Sequence, residues 1–171
     1  MHHKPATYHI TLEDYIQAMR LHARPTPKII LLYLFAALGV VMFAVTALQI
    51  DVNDAHTILV GAASGLGFAL LLLGIHLVST EFLSRVNYRR FRGLHHDVVI
   101  ELIDNGVHLS SATFDSSLAW RNMLKWKHDK NYILIYRHPL LINIVPKSVK
   151  ADGFDTTALM RRLLQYVGRP A

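Results

Sequence analysis

Eleven histidines, the serine pairs Ser110–Ser111 and Ser116–Ser117, and no cysteine are the features of this 171-residue chain that suggest chemistry. Clustered histidines invite a metal ion, and a serine beside a histidine and a carboxylate invites acyl transfer. The spacing supports neither. No His-x-x-x-His or His-Glu-x-x-His pattern occurs, and there is no glycine-rich phosphate loop. His95 and His96 are adjacent, so in regular structure their side chains diverge and they read as solvated residues. The four serines read as strand and turn residues, and Asp115 and Asp129 stand isolated in sequence. The expectation is therefore a protein without catalytic, metal-binding or cofactor-binding residues.

The basic residues are more informative. The formal net charge is +6. Arg85, Arg89, Arg90 and Arg92 form a cluster opposed only by Glu81, and Lys4, Arg20, Arg24 and Lys28 form a second group earlier in the chain. Between these groups lie two apolar runs. Residues 29–50 contain no Asp, Glu, Lys, Arg or His, and residues 58–80 contain His76 alone. A 22-residue helix is about 33 Å long, enough for a hydrocarbon core of about 30 Å. Both runs are apolar on every side, which leaves no polar stripe for water. With 52% hydrophobic and 18% charged residues, composition leans the same way. The expectation is a transmembrane hairpin over residues 28–80, with helices at about 28–50 and 58–80.

The connection between the runs carries Asp51 and Asp54 and no basic residue. Lys and Arg flanking a span are retained in the cytoplasm. Both termini are thus expected in the cytoplasm, with Arg85, Arg89, Arg90 and Arg92 as a basic collar facing anionic phospholipid headgroups. No recognition motif accompanies the basic cluster, so nucleic acid is not expected as a partner. Gly61 and Gly65, four apart, let another helix backbone approach closely. Packing within the hairpin is the simpler reading, and a homodimer contact is the alternative. His76 sits about one turn from the cytoplasmic end and reads as a neutral, snorkelling or helix-bonded residue.

The flanking segments complete the layout. Residues 1–27 read as a short strand followed by an amphipathic helix. Thr11 and Asp14 form a capping pair, Leu12, Tyr15, Ile16 and Met19 recur at helical spacing, and Pro25 and Pro27 end the helix. That helix is expected to dock on the C-terminal domain rather than lie on headgroups. Residues 81–95 read as a basic juxtamembrane linker. Residues 96–171 alternate in the manner of strands, beginning with "DVVIELI", the turn "DNG" and "VHLSS". A last helix begins at Asp155 or the threonines after it and runs through Val167. The fold class expected is an α+β membrane protein: a two-helix transmembrane hairpin plus a small antiparallel β domain, pleckstrin-homology-like (PH-like), closed by a C-terminal helix.

The succession "TLEDY", two central spans, "ELIDNGVHLSS", "LAWRNMLKW", "NYILIY" and "LINIVPKSV" resembles the YcxB-like membrane proteins of bacteria. The positions that carry the resemblance are Gly106, Ser110, Ser111, Trp120, Pro146 and Lys147. The resemblance implies a membrane-anchored, PH-like cytoplasmic domain and no established activity. Trp120 reads first as a core residue beneath the last helix, and Lys147 as a solvated strand end. Both are also candidate partner contacts, since Trp is frequent at hot spots and a lysine can meet a phosphate. The expected function is a membrane-anchored binding module of the bacterial inner membrane, with an unknown protein partner. The alternative is an immunity protein that neutralises a toxin there.

Overall fold

The computed structural model describes residues 4–47, 55–91 and 95–171. These form two compact units. The first comprises residues 1–22 and 83–171, and the second residues 23–82.

The first unit starts with strand β1 (Ala6–Tyr8) and helix α1 (Leu12–His22) and resumes much later with β2 (Val98–Ile103), β3 (Gly106–Ser111) and β4 (Phe114–Ala119). Then come β5 (Lys125–His128), β6 (Tyr132–His138), β7 (Leu141–Pro146) and helix α4 (Thr156–Tyr166). One antiparallel sheet has the order β1-β2-β3-β4 and the other β5-β6-β7. β1 joins its sheet across a long stretch of chain, with Ala6 opposite Ile100 and Tyr8 opposite Val98. The architecture is α+β, antiparallel and ended by a helix, as expected.

Local chemistry sets these elements. In α1 the Thr11 N–H donates to Asp14 Oδ2 at 3.0 Å, and the Asp14 N–H donates to Thr11 Oγ1 at 3.1 Å, a reciprocal capping box. Asp155 caps α4 by accepting from the Ala158 N–H at 2.8 Å. The β2–β3 turn needs glycine at Gly106, because a Cβ there would lie 1.9 Å from the Leu118 carbonyl oxygen. β6 is the central strand of its sheet, and Tyr132 through Tyr136 are all buried. Successive strand side chains alternate faces, so β6 is covered on both. Helix α1 supplies one cover, burying Tyr15, Ala18 and Leu21 in the core that both sheets share with Leu159 and Leu163 of α4. Each such Leu or Ile contributes about 1.5–3 kcal/mol relative to exposure.

The second unit holds α2 (Pro27–Ala47) and most of α3 (Ala55–Arg90). Proline at the first position of α2 loses no hydrogen bond there. Contact between the helices uses small residues. A Cβ on Gly61 would lie 3.5 Å from Val41 Cγ1, and one on Gly65 3.1 Å from Val41 Cγ2. Ala37 and Ala69 are buried, whereas Leu31, Phe35, Leu66, Leu70, Leu77 and Val78 are exposed.

Two expectations change. Among the described residues one helix, from Leu59 to Arg90, is long and apolar enough to cross a membrane. The described part of α2 does not meet that measure alone, so a second span is not established by length and composition. The expected linker at 81–95 is in large part helix, because α3 runs without a break to Arg90. No proline or glycine interrupts residues 81–90, and the change from apolar to basic residues alters what surrounds a helix without ending it.

Candidate functional site

An apolar groove of about 350 Å³ opens on the first unit. Tyr15 and Met19 of α1, Phe91 just after α3, Phe114 at the start of β4 and residues 140–144 border it. Its rim is unusually greasy for a turn region: Leu140 is 82% exposed, Leu141 and Phe91 60% each. Four consecutive residues of β7, Leu141 to Ile144, on a cavity wall mean that the strand's edge, not a single face, borders the cavity. β7 is indeed the outer strand of its sheet. The Tyr8 hydroxyl, from the last residue of β1, donates to the Ile144 carbonyl at 2.9 Å. Burial pushes the Tyr8 hydroxyl far above the ordinary phenol value, so it stays a neutral donor. The Tyr88 hydroxyl donates to the Ile10 carbonyl at 2.9 Å, and its ring packs against Tyr15.

A second polar cluster ties α1 to the sheet. The Tyr132 hydroxyl donates to Asp14 Oδ1 at 2.7 Å. Burial raises the Asp14 carboxyl, but hydrogen bonds from the Thr11 hydroxyl, the Tyr132 hydroxyl and the Thr11 N–H outweigh it and hold the group below its ordinary value. At the other end of α1, His22 Nδ1 lies 3.0 Å from the Tyr136 hydroxyl, and Lys127 Nζ donates to the His22 carbonyl. Burial first, then Lys127 and Lys125, keep the His22 imidazole below its ordinary value. Both clusters fasten the helix.

The residues singled out from sequence fall in different places. Arg89 and Arg90 are exposed in the last turn of α3, and Arg85 is exposed one turn earlier, whereas Arg92 lies outside the described residues, as do Asp51 and Asp54. Gly61 and Gly65 face Val41 within the second unit. Trp120 is buried, donates Nε1–H to the Asp104 carbonyl at 3.1 Å and stacks on Tyr166 of α4. Lys147 Nζ, just after β7, donates to the Asp129 carbonyl at 2.5 Å and so ties the end of β7 to the β5–β6 turn. Trp120 is thus held inside the fold, and Lys147 is half-buried with its ammonium on a backbone carbonyl. His76 Nε2 lies 3.0 Å from the carbonyl of Ala23, a turn residue between α1 and α2, and acts as donor there.

Asp115 is not isolated, contrary to its reading from sequence. Across β3 and β4, His108 Nδ1 lies 3.0 Å from Ser117 Oγ, and His108 Nε2 lies 3.4 Å from Asp115 Oδ1. Cross-strand register makes this line, since His108 faces Ser117 and Ser110 faces Asp115. The Asp115 side chain is 75% exposed, so water solvates the carboxylate and its hold on the imidazole is weak. Among the described residues no three His, Asp or Glu side chains are placed to hold a metal ion. The groove was missed because six separate elements meet there and no contiguous pattern marks it. No family model matches the chain, and no curated protein matches it.

Proposed function

We propose that this chain is a membrane-anchored interaction module of the bacterial inner membrane, in which α2 and α3 both cross the bilayer and a PH-like domain faces the cytoplasm. The observation that carries the reading is the pairing of β1 with β2. These strands are neighbours in one sheet, yet α2 and α3 lie between them in the chain. A single crossing would put β1 and β2 on opposite sides of the membrane. If α3 crosses, a second crossing must lie between Tyr8 and Val98, and residues 29–50 are the other uncharged run there. The basic flanks assign the shared side to the cytoplasm. Arg85, Arg89, Arg90 and Arg92 then meet anionic headgroups, each gaining about 1 kcal/mol. Two sheets of four and three strands followed by a helix suit a PH-like domain, and the YcxB-like resemblance points the same way. The open apolar groove favours binding over chemistry.

Labelling from one side of the membrane tests this. The chain has no cysteine of its own. In intact cells a membrane-impermeant maleimide should label the Asn53→Cys variant, and should reach the Asp115→Cys variant only after permeabilisation. Labelling of both in intact cells, or release of the chain by alkaline carbonate, overturns the proposal. Self-killing on deletion that vanishes when a neighbouring gene is also removed would replace the module with an immunity protein.

A further inference from the structure

The groove offers an occupant apolar surface but few hydrogen-bond partners. Its floor is Tyr8, Ile10, Tyr15, Val98, Leu109 and Ile144, all buried. Its rim is Phe91, Phe114, Leu140 and Leu141, all exposed. Asn143 is the one lining residue that is neither apolar nor aromatic. The Ile144 carbonyl, which an added strand would need, already receives the Tyr8 hydroxyl. A peptide laid here would bury main-chain groups without partners, whereas a hydrocarbon chain has none to satisfy. Charge around the groove favours neither sign. The residues next in sequence to the lining include Asp14, Asp97 and Asp115 against Arg20, Arg90 and Arg92. The part of an occupant that enters is therefore uncharged and apolar. A volume of about 350 Å³ falls at the lower end of the range for small-molecule sites, about 300–1,000 Å³.

Continuity with α3 names the source of such an occupant. Phe91 directly follows α3, and its N–H still bonds the Asn87 carbonyl at 2.9 Å. Leu83, exposed on α3, precedes Phe91 by eight residues, about 12 Å along the helix. Between them lie Arg85, Arg89 and Arg90, which on the membrane reading meet headgroups. On that reading the hydrocarbon ends near Leu83, and a headgroup layer of about 5–8 Å follows. The rim then stands about 4–7 Å beyond that layer. The chains of one leaflet fill half of a core of about 30 Å, so a single chain of about 15 Å crosses this gap and still reaches the floor. We propose that the groove takes one acyl chain of a membrane phospholipid from the leaflet at which α3 leaves the bilayer. Phe91 and Leu140 flank its entry, and Tyr15 and Ile144 receive its methyl end. This deepens the interaction-module reading and rests on it.

The test uses the full chain in vesicles of phosphatidylcholine and phosphatidylglycerol. A small fraction of the phosphatidylglycerol carries a diazirine on one acyl chain, either at the methyl end or beside the carbonyl. After irradiation, mass spectrometry places the adducts. Both probes should label α2 and α3. The methyl-end probe should also label the floor at Tyr15, Met19 or Ile144, and the carbonyl-end probe should favour Phe91 and Leu140. Ile142→Trp, which narrows the groove, should cut the floor adducts about tenfold and leave those on α2 and α3 unchanged. The comparison of the two probes uses the unaltered chain, so it decides even where that variant fails to fold. Labelled helices with a floor free of adducts overturn the proposal and leave the membrane reading standing. Adducts confined to Phe91 and Leu140 from both probes overturn it as well, and mean that the rim only touches the bilayer surface. Near-complete disulfide linkage of the Leu140→Cys variant into a dimer, in vesicles, overturns it in favour of a second copy of the chain. Absence of adducts on α2 and α3 overturns the membrane reading, and this proposal with it.

Discussion

In the first unit the large apolar side chains turn inward: Ile133, Leu134, Ile135 and Tyr136 are fully buried. In the second they turn outward, and small residues such as Ala37, Ala69 and Gly65 occupy the contact between helices. The same residue types serve opposite purposes. In water, burial of Leu and Ile drives folding. On the membrane reading proposed above, α2 and α3 gain nothing from hiding leucine, and close backbone approach sets their contact instead. Each unit therefore breaks under a different kind of substitution.

The sharpest contrast comes from one substitution made in both places. Leu134→Ala should cost about 2–5 kcal/mol, and Leu70→Ala should stay within about 0.5 kcal/mol. Guanidinium unfolding of the full chain in micelles reads the first directly, because Trp120 and Trp126 both lie in the first unit. Helical circular dichroism reads the second. Similar losses at both sites would erase the contrast.

Next in size is enlargement of the small-residue contact. Gly65→Leu overpacks against Val41 at a cost of about 1–3 kcal/mol. A Val41→Cys, Gly61→Cys double variant should form an oxidative cross-link, and adding Gly65→Leu should reduce its yield. An undiminished yield would mean that this contact does not depend on a small residue.

The smallest effect belongs to pH. The His22 imidazole is held below its ordinary value in the folded chain, so as pH falls past about 6.5 the unfolded chain takes up the proton first. Stability from this group is full above that pH and declines below it, until the folded imidazole is protonated too. Asp14 has the opposite sign of charge and a lower window: its depressed carboxyl stabilises above about pH 4 and fails as acid titrates it. His22→Asn should flatten the unfolding midpoint between pH 6.5 and 5 and leave the fall below pH 4. An unchanged slope would remove His22 from the account.

What could be read from the sequence was local. Thr11 with Asp14 and Asp155 with Ala158 act within one helical turn, and a short pattern suffices to find them. The β-branched, apolar runs of β2 and β6 were legible for the same reason. The end of α3 was misplaced because composition changes near Thr80 while helix-forming residues continue. The short N-terminal strand was legible, but its partner was not, because that partner lies far along the chain. Asp115 and His108 meet only through register. The groove, assembled from six elements, has no contiguous signature at all.

The union of β1 with β2 also sets a timetable. Tyr8 leaves the ribosome 90 positions before Val98. At about 5–20 residues per second, the first strand waits roughly 5–20 s for its neighbour. On the membrane reading proposed above, the insertion machinery must accept both apolar helices during that interval, while a short N-terminal segment stays behind with nothing to pair with. On that reading the sheet closes only after insertion is over, and a folded β1–β2 pair is the mark of a chain that went in and came back.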